Sequence, residues 1–216
     1  MKRVILSLAI VVSCTLLSSC NIAAIAAYLT SPDPSQDALY KLPNVSTVVF
    51  VDDRRNVMHP IRLRRVIAEQ ITNELLSKKI LTTMISPRDA MRVSATNDKY
   101  NEPLPVNELG KAVGASVVIY VEMTAFGLTS DGHTANPRTS CSIRVIDVIN
   151  KSRLFPTDEA AFIVSESMKH IGPNRVTSSA EARELAEELA VKLGNTIAKV
   201  FYEHTTGRLG ENLERK

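Results

Sequence analysis

Apolar residues along this chain fall into two rhythms, and an element ends wherever the rhythm changes. Residues 45–51, VSTVVFV, are mostly β-branched and apolar on both faces, the pattern of a strand covered on both sides. Beyond it, Pro60 suits a first helical position, and Leu63, Val66, Ile67, Ile71 and Leu75 recur at helical spacing to about Lys79. Residues 81–85 read as a short strand. Ser86 ahead of Pro87 is an N-cap for a short helix in PRDAMRV. The loop NDKYNEPLP leads to a second short helix, Val106 to Val113, ended by Gly114. SVVIYVEMTAF, residues 116–126, is a long strand, GLTSDGHTANPRT a polar loop, and SCSIRVIDV, residues 140–148, the next strand. INKS reads as a tight turn, since asparagine tolerates positive φ. Arg153–Phe155 and Ala160–Ser167 form a return strand interrupted near Pro156. The last helix runs from Ser178 to about Glu203. It opens on a capping box, Ser178 with Glu181, and carries Leu185, Leu189, Leu193, Ile197, Val200 and Phe201 on one stripe.

The predicted order is therefore β-α-β-α-α-β-β-β-α. Crossover connections come first, and an antiparallel meander closed by a long C-terminal helix follows. The fold class is α/β (α+β), a mixed sheet with helices on its faces.

The N-terminus follows a different logic. It reads MKRVILSLAIVVSCTLLSSC: Lys2 and Arg3, then an apolar core from Val4 to Leu17, of signal-peptide length and short for a membrane span. Ser18 and Ser19 precede Cys20, with Leu17 three residues before it. This resembles the lipobox of bacterial lipoproteins. The resemblance implies cleavage between Ser19 and Cys20, a diacylglycerol on the Cys20 thiol and acylation of the new amino group. With Asn21 rather than aspartate next, it implies the periplasmic face of the outer membrane more than the inner membrane. Two or three acyl chains anchor stably where one is marginal. Residues 21–29 are mildly apolar and lie either at the membrane surface or on the domain. SPDPSQD, residues 31–37, reads as a tether. The expected organisation is a signal peptide over 1–19, a lipidated N-terminus and tether over 20–44, one α/β domain over 45–205, and a polar tail over 206–216.

Charge and cysteine content narrow the function. Removing Lys2 and Arg3 leaves 24 Lys+Arg against 23 Asp+Glu, a near-neutral balance with no electrostatic case for nucleic acid. Tryptophan is absent and aromatics are few, so the core must be aliphatic and little can stack on bases. Cys14 leaves with the leader and Cys20 carries lipid, so Cys141 has no disulfide partner and reads as a buried small hydrophobe.

The stretches TVVFVDD, LTTMISPRDAMRV, VNELGKAVGASVVIYVEMTAF and IRVIDVINKSRLF follow a recurring pattern. It is similar to the α/β domain shared by the curli-secretion lipoproteins, the lipoprotein activators of peptidoglycan synthases and the N-terminal domain of the Tol-system β-propeller protein. The resemblance covers about residues 45–203, and the nearest look is to uncharacterised lipoproteins. It implies docking, assembly or export and no enzyme. SVVIYVEMTAF departs from a pore-forming hairpin, because its first half is apolar on both faces where a barrel strand alternates.

Candidate chemistry concentrates in VVFVDDRRNVMHP, residues 48–60. Asp52 and Asp53 end the first strand, a place where ligands often sit in open α/β sheets. They also resemble the paired acids of phospho-receiver domains, but the third buried aspartate and the matching threonine and lysine are missing. Arg62, Arg64 and Arg65 crowd the start of the next helix, where the macrodipole disfavours cations. The expectation is an ion-pair cluster of Asp52, Asp53, Arg54, Arg55, Arg62 and Arg65. Its residual role is a docking patch for an acidic partner or anionic headgroups, part of it neutralised by the Arg65–Glu69 i,i+4 pair. His59, His133, His170 and His204 are scattered, so neither a metal site nor a cofactor is expected, and no catalytic residues. Asp131-Gly132-His133 reads as a loop tip. Glu122 and Asp147 interrupt apolar strands, with Arg144 as a structural partner. The reading is a non-enzymatic, lipid-anchored envelope protein that docks protein partners, with oligomers possible. The alternatives are a small metal-dependent hydrolase using Asp52 and Asp53, and an oligomeric secretion subunit.

Overall fold

The computed structural model describes residues 34–98, 103–129, 134–158, 160–168 and 178–206. The expected signal peptide, Cys20, the first three residues of the tether, Asp131, His133, His170 and residues 207–216 lie outside the described residues. The chain divides into two units, residues 37–203 and residues 1–36 with 204–216. The smaller unit contains β1 (Ser35–Gln36), paired antiparallel with the two residues His204–Thr205.

In the larger unit the elements follow the predicted order. They are β2 (Thr47–Asp52), α1 (Leu63–Ser77), β3 (Met84–Ile85), α2 (Pro87–Asn97), α3 (Val106–Val113), β4 (Val117–Thr129), β5 (Ala135–Asp147), β6 (Ser152–Phe155), β7 (Phe162–Ser167) and α4 (Ser179–Ala198). β8 is the His204–Thr205 strand of the smaller unit. The sheet runs β3-β2-β4-β5, with β6 and β7 both lying along β5. β2 is parallel to β3 and β4, because α1 and then α2–α3 carry the chain across; the β4–β5 hairpin and the return strand are antiparallel. This is the mixed sheet of an α/β (α+β) domain.

Several bounds shift, each for a local reason. α1 begins at Leu63, not Pro60, because residues 60–65 form i→i+3 turns: the N–H groups of Leu63, Arg64 and Arg65 donate to the carbonyls of Pro60, Ile61 and Arg62. α4 ends at Ala198 and tightens into a 3₁₀ turn over Lys199–Phe201. The expected polar loop after Phe126 is largely strand, since β4 reaches Thr129 and β5 starts at Ala135. Pro137, which has no N–H to give, sits in the register irregularity between Thr129↔Ala135 and Gly127↔Arg138. In the 149–152 turn the left-handed residue is Lys151 (φ 52°) rather than Asn150.

Two apolar layers flank the sheet. Val49, Val51, Ile119, Val121, Met123, Cys141, Ile143 and Val145 face α1 and α4. Val48, Phe50, Val118 and Tyr120 face α2 and α3. Helices approach closely on both sides. A Cβ at Gly110 of α3 would lie 2.9 Å from Val118 Cγ2, and one at Gly194 of α4 would lie 2.8 Å from Cβ of Gln70 on α1. Ser86 caps α2, and Ser178 with Glu181 forms the capping box of α4.

Candidate functional site

Alternation along the strands decides what surrounds Asp52. The parallel register sets Asp52 opposite Glu122 and Phe50 opposite Tyr120, and the hairpin register sets Tyr120 opposite Arg144 and Glu122 opposite Ser142. These side chains share the α2–α3 face. The two short helices cover only its lower part, so the upper part is a polar strip on an otherwise aliphatic sheet.

The strip is internally paired. Asp52 is buried; its Oδ2 accepts from Tyr120 O–H (2.8 Å) and from Arg54 Nε (2.6 Å). Glu122 pairs with Arg144, whose guanidinium stacks 5.1 Å from the Tyr120 ring centroid. Burial works against the Arg54 cation, but its hydrogen bond to Asp52 and the neighbouring acids outweigh burial and raise its pKa. Burial first and the Asp52 charge second hold the Tyr120 phenol well above its ordinary value of 10. Tyr120 was not among the residues expected at the site. Its signal was available as the period-2 neighbour of Glu122 on β4, but the pairing of β4 with β2 was not.

The six residues singled out in the sequence do not form one cluster. Asp53 turns away from Asp52 and accepts from the N–H groups of Val57 and Met58 (both 2.9 Å), organising the loop after β2. Arg54 joins Asp52, and Arg55 is exposed. Arg62 pairs with Glu187 of α4, and Arg65 lies 3.9 Å from Glu69. Arg62 and Arg65 are thus offset by helix carboxylates rather than by the strand-end acids. Asp147 is also separate: it accepts from the N–H groups of Ile149 and Asn150 and from Asn150 Nδ2, and these bonds lower its pKa. Among the described residues no three His, Cys, Asp or Glu side chains converge as metal ligands would, and no helix is long and apolar enough to cross a membrane.

Beyond the strip the sheet face stays open toward β7. Ser165 Oγ donates to Ser140 Oγ (3.1 Å), and Ile163, opposite Ser142, is 59% exposed. A shallow groove of about 710 Å³ follows β5 and β7 there, between Asn136, Arg138, Ser140, Ser165 and Ser167.

No family model and no curated protein sequence matches the chain. Several solved structures are similar to it. The PelC dodecamer from Paraburkholderia phytofirmans is 13% identical with a TM-score of 0.38, covering 80% of this chain and 95% of that one. A lipoprotein from Neisseria meningitidis is 14% identical with a TM-score of 0.39, covering 70% of this chain and 99% of that one. The LpoB C-terminal domain from Escherichia coli is 13% identical with a TM-score of 0.35, covering 59% of this chain and 84% of that one. The similar structures thus include lipoproteins, the group the sequence resembles.

Proposed function

We propose that the chain is a non-enzymatic envelope protein, held by lipid on Cys20 at the periplasmic face of the outer membrane, that docks a protein partner of the assembly, cell-wall or secretion machinery. The observation that carries this reading is the state of the two strand-end acids. Asp52 is engaged by Tyr120 and Arg54, and Asp53 by two backbone amides. A hydrolase needs carboxylates that converge with other polar groups on a substrate. Here the two acids point to different partners: Asp53 holds the loop after β2, and the strip that contains Asp52 is already neutralised in pairs. Such a face offers a partner oriented hydrogen-bond groups and fixed charges with little side-chain entropy left to lose.

The open face around Ile163 is the docking surface in this reading. A photo-crosslinker at Ile163 in the native cell is expected to form one envelope-protein adduct. The same crosslinker at Val191, exposed on α4 in the opposite layer, is expected to form none. Equal yields from both positions overturn the docking reading. The anchor is tested separately: Cys20→Ser is expected to leave a chain that keeps its leader and gains no acyl mass.

A further inference from the structure

We propose that the arginine groove between α1 and α2 holds the phosphate of an anionic membrane lipid; this rests on the lipid-anchor reading above. Ile61, Arg62, Arg64, Arg65, Arg88 and Met91 line a groove of about 300 Å³. Four guanidinium groups meet there, and the two carboxylates paired with them are Glu69 and Glu187. Glu69 Oε1 accepts from Arg88 Nε at 2.8 Å and lies 3.9 Å from Arg65 Nε, while Glu187 pairs with Arg62. Among the described residues, two of the four positive charges are left over.

The cations also retain donors. Arg88 lines the groove and gives Nε to Glu69, which leaves the donors of its two terminal nitrogens available. Arg64 Nε is buried without a partner. The first turn of α1 contains no acid, so its positive end adds to the surplus. Several guanidinium forks around one concavity match a tetrahedral phosphate, which accepts from more than one of them at once.

The groove's lip separates a lipid from an acidic protein. Ile61 is 62% exposed, and Met91 lies half-buried beside it. An exposed branched aliphatic flanked by arginines suits the boundary between headgroups and acyl chains, where the cations meet phosphate and the side chain leaves water. A purely acidic peptide would offer Ile61 nothing. Reach is no obstacle. The chain between Cys20 and Ser35, where β1 begins, can extend to about 50 Å, beyond the roughly 40 Å diameter expected for a unit the length of the larger one. The contact would fix which side of the anchored unit faces the bilayer.

The test uses the full chain, matured and reconstituted in vesicles, with an environment-sensitive dye on an Ile61→Cys variant. Cys141 is buried and stays unlabelled. In vesicles containing about 30 mol% phosphatidylglycerol, a typical anionic surface, the dye is expected to shift to the blue. In phosphatidylcholine alone it should not, and about 1 M salt, with a Debye length near 3 Å, should reverse the shift. Arg62→Gln/Arg65→Gln/Arg88→Gln should abolish it. Arg65→Gln alone, which leaves both short ion pairs intact, should weaken it. A dye on Leu76→Cys, at the far end of α1, should not respond. Identical spectra in the two lipids overturn the proposal, as does a shift that survives the triple variant or a response to soluble polyglutamate without one to the bilayer. Failure of the anchor reads out separately, because a chain with native Ile61 would then take up dye at a free Cys20.

Discussion

Asp52 has the environment of a structural carboxylate. One oxygen takes both the Tyr120 hydroxyl and the Arg54 guanidinium, and the group sits on a strand whose residues are all buried. The Tyr120–Asp52 bond is neutral-to-charged and shielded by the ring, which places its worth near 1.5–3 kcal/mol, whereas the Arg54 arm is half exposed and worth about 1 kcal/mol or less. Tyr120→Phe is therefore expected to cost about 1.5–3 kcal/mol, and Asp52→Ala about 3 kcal/mol or more because it also strands a buried hydroxyl. Combined in a double-mutant cycle read by urea unfolding, the two should fall short of additivity by about 1 kcal/mol or more. Additive losses would mean the bond is not stabilising. The same residues show what a sequence can and cannot reveal about a site. Arg144 was identifiable as a structural partner for the strand acids because it sits within one hairpin. Tyr120 as the partner of Asp52 was not, because the contact spans 68 positions and depends on a parallel register set by two crossovers. Asp53 was misleading for a simpler reason. Adjacent acids at a strand end point to opposite sides, and the second meets the backbone of the next loop instead.

At the scale of elements, apolar rhythm located nearly every strand and helix of the larger unit because each buries a face against the same sheet. Where that rule lapses, bounds were lost. The outer halves of β4 and β5 carry Thr129, Asn136 and Arg138 on a face no helix covers, so their composition reads as loop while their backbone continues the ladder. β7 needs further support there, and α4 supplies it. Glu166 accepts from Thr196 Oγ1 (2.6 Å) and the Ser167 N–H (2.9 Å), and its carboxylate lies 3.1 Å from Lys192 Nζ; Lys192 also donates to the Ser167 carbonyl. Burial would raise the Glu166 pKa, but these hydrogen bonds outweigh it and hold the group below its ordinary 4.5. A depressed folded pKa gives stability that is present above about 4.5 and lost as pH falls through the folded value. Glu166→Gln is expected to cost less than about 1 kcal/mol at neutral pH, since Lys192 is half exposed. The gap between variant and parent should close as pH drops below 4.5 in denaturant titrations. A constant gap would show that the charge on Glu166 does not hold β7 to α4.

For the larger unit as a whole, the question is whether its two apolar layers open together. The layer under α1 and α4 contains the central strands' inward residues, and Cys141 lies in its middle with no exposure. Its β5 position is flanked by Met123 on β4 and Val164 on β7, and its side chain lies in the layer under α1 and α4, so parting β7 alone does not expose it and a reagent must lift α4 to reach it. Burial also pushes the thiol pKa up to about 12, so even a fleeting exposure without hydration would leave little thiolate. In the processed, acylated form proposed above, Cys141 is the one thiol left to react. The sheet edges differ from this centre: β3 is two residues long, and β6 and β7 share one flank of β5. If the edges fray independently, Cys141 still stays covered by β4 and α4. Its labelling by a thiol reagent should then be suppressed at least about 10³-fold relative to the unfolded chain, as expected when exposure requires opening most of a domain stable by 5 kcal/mol or more. The logarithm of the trapping rate should also rise with denaturant along the same slope as global unfolding. Fast trapping with a shallow slope would instead mean that β5 separates from its neighbours locally, and that the sheet is two loosely joined halves rather than one cooperative layer.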